Sequence, residues 1–151
     1  MPTLRVHRTG VPARYEIVSG DAPVTTVSAR TAQHGGELDV DGQAYRLDGS
    51  AFGRNCGLRA PDGRTVASAE RDGLRSWRVV AGEREYRLAR AGFGSRTLEL
   101  AEGDDRIGQI RRVARGAESD LPGLERPVEV FVLVVALAMW QRRRRAAVIG
   151  R

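Results

Sequence analysis

The chain has no lysine, only one cysteine and only two histidines, and these shortages narrow its function. A single cysteine, Cys56, excludes a disulfide within the chain and belongs to no zinc-binding spacing. All 25 basic residues are arginine. Coding bias is one interpretation, and a use of guanidinium groups for bidentate phosphate contacts is the other. The first ten residues lack the apolar segment of a secretory signal, so we expect an intracellular, cytoplasmic protein.

Candidates for catalysis are equally few. His7 and His34 fit surface positions, and Cys56 lies in an alternating segment where a small buried residue is expected. No nucleophile has a base beside it in any recognisable motif, and a Walker motif is excluded because it requires lysine. We therefore expect no catalytic residues, no metal and no cofactor. An enzyme with an unrecognised site is the alternative.

The net charge of +6 is concentrated at the C-terminal end. Residues 1–141 contain 20 arginines and 19 acidic residues, and the other five basic residues follow them. They are Arg142, Arg143, Arg144, Arg145 and Arg151. A nucleic-acid-binding domain would show a basic face with interleaved aromatic residues, so we expect no nucleic-acid partner. The run of four arginines fits either a solvated helix end or a contact with anionic lipid headgroups at a membrane surface.

An apolar run over residues 130–140 precedes these arginines. Crossing a bilayer takes roughly 20 apolar residues, whereas this run covers only about 16 Å as a helix. The first interpretation is a helix buried in protein; a short membrane tail anchor and a buried strand are the alternatives. Pro127 and Glu129 suit a helix N-terminus, and the arginines suit its C-terminus. The expected core contacts of this helix are Val130, Phe131, Leu133, Val134, Leu137 and Trp140.

Residues 1–124 have the pattern of about twelve short strands joined by turns. Five strand pairs flank tight-turn sequences, namely Gly20-Asp21, Asp41-Gly42, Pro61-Asp62-Gly63, Ala81-Gly82 and Glu102-Gly103-Asp104. Two shorter strands are expected near residues 4–6 and 118–121. The strand that follows Gly20-Asp21 is predicted to run over residues 24–29.

An internal repeat connects these strands into larger units. Tyr45-Arg46-Leu47 recurs 41 residues later as Tyr86-Arg87-Leu88, and Phe52-Gly53 recurs as Phe93-Gly94. Each unit reads as strand, Phe-Gly corner, strand, tight turn and strand, and two or three such units can close a barrel. Strand segments such as Val66-Ala67-Ser68-Ala69 lack the bulk to fill a wide barrel. A barrel of more than about eight strands needs something inside, and a helix that is apolar on every face meets that need.

The sequence therefore predicts a single, mainly β domain. We expect a closed antiparallel barrel of about twelve strands from residues 1–124. The barrel surrounds a central hydrophobic C-terminal helix over 125–145, which is followed by a tail over 146–151.

This pattern resembles the tubby C-terminal-like fold, which is shared by tubby proteins, phospholipid scramblases and LURP-one-related proteins. The repeated Tyr-Arg-Leu and Phe-Gly units and the segment 121–131 that leads into the apolar run carry the resemblance. The chain most resembles small bacterial members near the LURP-one and scramblase branch. This resemblance implies a roughly twelve-stranded barrel around a hydrophobic helix. The cysteine-rich and calcium-binding segments of scramblases have no counterpart here.

The resemblance also implies a function, because tubby proteins bind phosphoinositides through basic residues on the barrel. We expect a non-catalytic, monomeric barrel protein that binds phospholipid or phosphoinositide headgroups, or a protein partner, and that is peripheral to the membrane. Arg142, Arg143, Arg144 and Arg145 are the candidate lipid contacts. The rival hypothesis is a tail-anchored membrane protein with a small β domain.

Overall fold

A computed structural model describes residues 4–10, 13–49, 55–72, 76–92 and 96–149, with the side chains of residues 33 and 141–149 excepted. These residues form twelve strands, which is the number predicted, and two helices. The strands are β1 Leu4–Thr9, β2 Arg14–Ser19, β3 Ala22–Ser28, β4 Gly36–Val40, β5 Gln43–Gly49, β6 Asn55–Arg59, β7 Thr65–Arg71, β8 Ser76–Ala81, β9 Arg84–Arg90, β10 Thr97–Glu102, β11 Asp105–Val113 and β12 Gly116–Asp120. The helices are α1 Ala29–His34 and α2 Arg126–Ile149.

The strands form one antiparallel sheet that curls into a nearly closed barrel, as predicted. Their order is β3-β2-β1-β12-β11-β10-β9-β8-β7-β6-β5-β4. Pairing of β1 with β12 joins the first strand of the chain to the last, with Leu4 opposite Ser119 and Val6 opposite Ala117. The edge strands β3 and β4 face each other, and the Asp41 N–H donates to the Val24 carbonyl at 3.2 Å. The barrel is therefore closed by contact along this seam.

The short helix α1 covers the seam and was not predicted. The sequence pattern extended the third strand to Ala29, but the Ser28 hydroxyl accepts a hydrogen bond from the Thr31 N–H at 2.9 Å and starts a helix there. Gly35 ends the helix with a φ of 89°. Ala32 is fully buried, and α1 contacts α2 as well as β3, β4 and β5. A helix of six residues is too short to show a helical hydrophobic period.

Helix α2 lies inside the barrel, as predicted. Every side chain from 130 to 138 is at most 5 % exposed, so no face of this segment reaches solvent. Of the expected core residues, Val130, Phe131, Leu133 and Val134 are at most 1 % exposed, and Leu137 and Trp140 are 5 % and 8 % exposed. Inward-facing side chains on the strands, such as Ala67, Ala69 and Ala117, are small enough to leave room for the helix.

The repeat extends over the whole barrel as three units of four strands, β1–β4, β5–β8 and β9–β12. Tyr45-Arg46-Leu47 lies on β5 and Tyr86-Arg87-Leu88 on β9, and β5 and β9 begin 41 residues apart. Leu4-Arg5-Val6 lies on β1, 41 residues before the β5 sequence. The two Phe-Gly corners lie outside the described residues. Three units thus close the barrel, although only two are evident in the sequence.

If α2 is the core of the barrel, Phe131→Ala should lower the free energy of unfolding by about 3–5 kcal/mol, the usual cost of truncating a buried phenylalanine. Phe131 has no exposed surface. Gln109→Ala on the exposed side of β11 is the control and should change stability by no more than about 0.5 kcal/mol. Denaturant unfolding of both variants checks this, and equal stabilities would contradict a buried helix.

Barrel closure at β12 requires a glycine at position 116. A Cβ atom there would lie 1.7 Å from the carbonyl oxygen of Val6 on β1, so the two backbones would have to separate. Gly116→Ala should therefore cost about 1–3 kcal/mol, as overpacking does in general. Gly92→Ala is the matched control, because a Cβ atom at Gly92 meets nothing within 4 Å. Thermal unfolding of the two variants should separate them clearly; similar melting temperatures would show that the β1–β12 contact is looser than the structure indicates.

Candidate functional site

A basic cleft opens at the end of the barrel where α2 completes its buried segment. It has a volume of about 610 Å³ and is lined by residues of β1, β2, β11, α2 and the neighbouring turns. Four of its lining residues are arginines, and none is acidic. They are Arg8, Arg96, Arg112 and Arg115. We call this surface the arginine cleft.

Backbone hydrogen bonds hold these arginines in two pairs. The Arg8 N–H donates to the Arg115 carbonyl at 2.8 Å, and the Arg112 N–H donates to the Arg96 carbonyl at 3.0 Å. Arg115 occupies the tight turn between β11 and β12 with a φ of 61°, a conformation that side chains other than glycine adopt rarely. Backbone hydrogen bonds at the end of the sheet therefore fix the backbone spacing within each pair of arginines.

The floor of the cleft is apolar. Tyr15 from β2 and Leu137 and Trp140 from α2 form part of its lining, and all three are buried. The Arg112 guanidinium lies over the Trp140 ring, 6.0 Å from its centroid, a cation–π distance. The Thr9 hydroxyl oxygen is buried beside the cleft without a hydrogen-bond partner among the described residues. Charged donors above an apolar floor suit an anionic group with an apolar neighbour.

Three of the four arginines in the cleft form no ion pair with another described residue. These three are Arg8, Arg96 and Arg115, whereas arginines on the barrel wall do form ion pairs. A guanidinium group binds carboxylate or phosphate oxygens through two parallel N–H donors. The cleft can therefore bind an anion without first breaking an internal salt bridge of these three residues.

The charge of the barrel differs between its two ends. Each end comprises the first or last two residues of every strand together with the described connecting segments, including α1 and the first residue of α2. By this count the α2 C-terminal end carries eight arginines and four acidic residues, a net of +4. The same count at the opposite end gives six arginines and eleven acidic residues, a net of −5. We call these the basic end and the acidic end.

Each turn at the acidic end contributes one exposed carboxylate. These are Asp21, Asp41, Asp62, Glu83, Asp104 and Glu125. None of the six takes part in an ion pair among the described residues. Successive connections of an up-and-down barrel lie at opposite ends. Because acidic connections alternate along the chain with more basic ones, an almost neutral sequence forms a barrel with opposite net charges at its two ends.

The predicted lipid contacts Arg142, Arg143, Arg144 and Arg145 follow Trp140 on the same helix. Their backbone continues α2 beyond the arginine cleft, and their side chains lie outside the described residues. The cleft arginines were not predicted, since Arg8, Arg96 and the Arg112–Arg115 segment are far apart in sequence. They meet only when β1 pairs with β12 and β10 pairs with β11. No local motif marks them.

The other candidates for chemistry are separated in the structure. His7 is exposed on β1 and His34 is exposed at the end of α1. Burial raises the pKa of the Cys56 thiol to about 12, so it carries no thiolate at neutral pH. Among the described residues, no three His, Cys, Asp or Glu side chains are placed to hold a metal ion. Within that same part of the chain, neither helix is both long and apolar enough to cross a membrane.

Comparison with known proteins gives no match of any kind. No protein-family model matches the chain, and neither a curated protein nor a solved structure does so. The function must therefore be inferred from the barrel and its surface.

A buried carboxyl group lies near the N-terminus of α2, at the acidic end of the barrel. Glu129, in the first turn of the helix, is only 6 % exposed, and burial raises its pKa to about 7. Arg126 opposes this rise in pKa, and Asp120 adds to it. The buried Ser119 hydroxyl forms no hydrogen bond with any described residue. In the unfolded chain the carboxyl should regain its usual pKa near 4.5.

Glu129 should make the fold less stable as pH rises from about 4.5 to about 7. In that window the folded state holds a proton that the unfolded state has released, so the free energy of unfolding falls with rising pH and then levels off. The total loss should be on the order of 3 kcal/mol. Glu129→Gln should remove this dependence and be more stable than the wild type above pH 7. Denaturant unfolding of both proteins across the pH range measures this, and parallel stability curves would contradict the buried, protonated carboxyl.

Proposed function

We propose that this chain is a non-catalytic binding protein that docks on anionic lipid headgroups through the basic end of its barrel. The observation that carries the proposal is the arginine cleft, with its four arginines and no acidic residue in the lining. The backbone of α2 continues beyond this end and includes Arg142, Arg143, Arg144 and Arg145, which we propose as further lipid contacts. In this proposal the protein works as a peripheral protein at the cytoplasmic face of the membrane.

The architecture supports the same role. A nearly closed barrel of twelve antiparallel strands around a C-terminal helix is compatible with the tubby-like fold. We propose that the chain is a small bacterial member of that fold, near the LURP-one-related and scramblase branch. Tubby proteins bind lipid headgroups through basic residues, so we propose the basic end as the headgroup-binding surface of this chain.

Electrostatics provides the driving force. An arginine close to an anionic leaflet contributes about 1 kcal/mol. The net charge of +4 at the basic end, with the four arginines that follow, is enough for reversible binding of a single copy. The attraction should fall steeply with salt, because charges are screened beyond about 8 Å at physiological ionic strength.

Co-sedimentation with phosphatidylserine-containing vesicles tests the proposal. The intact chain should bind these vesicles at low salt and should not bind neutral phosphatidylcholine vesicles. It should dissociate near 0.5 M salt, where the screening length is only about 4 Å. The triple variant Arg8→Gln, Arg96→Gln, Arg115→Gln should bind at least about tenfold more weakly. Replacing Arg142, Arg143, Arg144 and Arg145 by serine should weaken binding further.

The matched control removes the same charge elsewhere. Arg5→Gln, Arg64→Gln and Arg87→Gln together delete three exposed arginines that do not line the arginine cleft. This variant should bind almost as well as the wild type. An equal loss in both triple variants would show that net charge alone matters, and no vesicle binding at low salt would reject the proposal. Binding to a DNA oligonucleotide but not to vesicles would assign the basic end to nucleic acid instead.

A further inference from the structure

We propose that the barrel docks end-on, with the axis of α2 along the membrane normal and the acidic end turned away from the lipid. This rests on the proposed function and adds the orientation in which that function is carried out. The acidic turns are not a binding site in this proposal. They act by repulsion, because an anionic surface disfavours every pose that brings them close.

The distance between the two ends makes the orientation selective. A strand of six residues, such as β1, spans about 20 Å, and tilting in a barrel shortens this only slightly. The membrane field decays over about 8 Å in physiological salt. In an upright pose the basic end is inside the field and the acidic end is outside it. In a side-on pose both ends enter the field, and their opposite net charges largely cancel.

The barrel wall offers little competing attraction, because most of its described charged side chains are paired with a neighbour of opposite charge. Asp48 accepts from Arg59 at 2.6 Å and from Arg46 at 3.2 Å. Glu118 pairs with Arg111 at 2.7 Å. Further wall pairs join Arg78 to Glu70 and Glu85, Arg84 to Glu102, and Arg106 to Glu99. Among the described side chains outside the two ends, only Glu16 and Arg87 are charged, exposed and absent from these pairs, and their charges are opposite. The net charge of the described barrel is therefore concentrated at its two ends.

Helix α2 gives the upright pose a defined direction. It begins at the acidic end, next to Glu125, and Trp140 lines the arginine cleft at the other end. The helical backbone continues for nine residues beyond Trp140 and carries the arginine run away from the barrel. In the upright pose this segment points at the headgroups, so the arginine run and the arginine cleft contact the same surface.

Energy transfer from two labelled positions to an acceptor on the lipid headgroups tests the orientation. Ala91→Cys places a donor at an exposed position at the basic end that does not line the arginine cleft, and Glu83→Cys places one in an exposed turn at the acidic end. Both are made in a Cys56→Ala background. On phosphatidylserine-containing vesicles the Ala91→Cys donor should transfer strongly, and the Glu83→Cys donor should lie roughly 15–20 Å farther from the acceptors.

Neutralising the acidic turns tests the cause of the orientation. Asp21→Asn, Asp41→Asn and Asp104→Asn together should bind vesicles more tightly and reduce the difference in transfer between the two labels. The control Glu16→Gln, Glu99→Gln, Glu118→Gln changes the net charge equally at exposed or half-buried positions in the middle of strands and should keep that difference.

The outcomes separate the two proposals. No vesicle binding by the labelled proteins rejects the lipid-binding function itself. Binding with equal transfer from both labels leaves that function intact and overturns the end-on orientation. A difference that survives neutralisation of the acidic turns overturns the role assigned to their repulsion.

Discussion

The burial of α2 on all of its faces is the interaction on which the rest of this structure depends. A twelve-stranded barrel is wider than its own side chains can fill, and positions such as Ala67, Ala69 and Ala117 make this one emptier still. The segment 130–138 occupies that space with almost no exposed surface. Strands and helix therefore supply each other's core, and neither part has a complete hydrophobic interior alone. The helix also determines where the chain leaves the barrel, and so where its arginine run lies.

Most of the fold could be predicted because its local signals agree with its topology. Turn sequences such as Asp41-Gly42 adopt positive φ angles and separate short alternating strands, as predicted. The apolar run was too short to span a bilayer and is enclosed by strands, as expected. Helix α1 was missed because its single cap, Ser28, follows directly on a strand. The third repeat unit was missed because Leu4-Arg5-Val6 shares only one identical residue with its counterparts.

The candidate site was much harder to predict, because it depends on contacts between distant segments. Arg8, Arg96 and Arg115 belong to three separate stretches of sequence, and the pairing of β1 with β12 and of β10 with β11 brings them to one rim. Residues 1–141 are nearly neutral as a whole. The separation of basic and acidic charge becomes apparent only when alternate turns are assigned to opposite ends of the barrel. The arginine run in the C-terminal part of α2 was visible from the sequence, and the structure shows that its backbone leaves the barrel at the basic end.

Hydrogen exchange of the α2 backbone amides most directly tests whether the helix is the core of the barrel. A helix enclosed by twelve strands can open only when the barrel itself unfolds, so its amides should exchange with the free energy of global unfolding. Amides over residues 130–138 should therefore be as protected as the most protected amides of β1, β11 and β12. Rapid exchange of these helical amides while the strands stay protected would contradict the account, because it would show a barrel that remains folded without its helix.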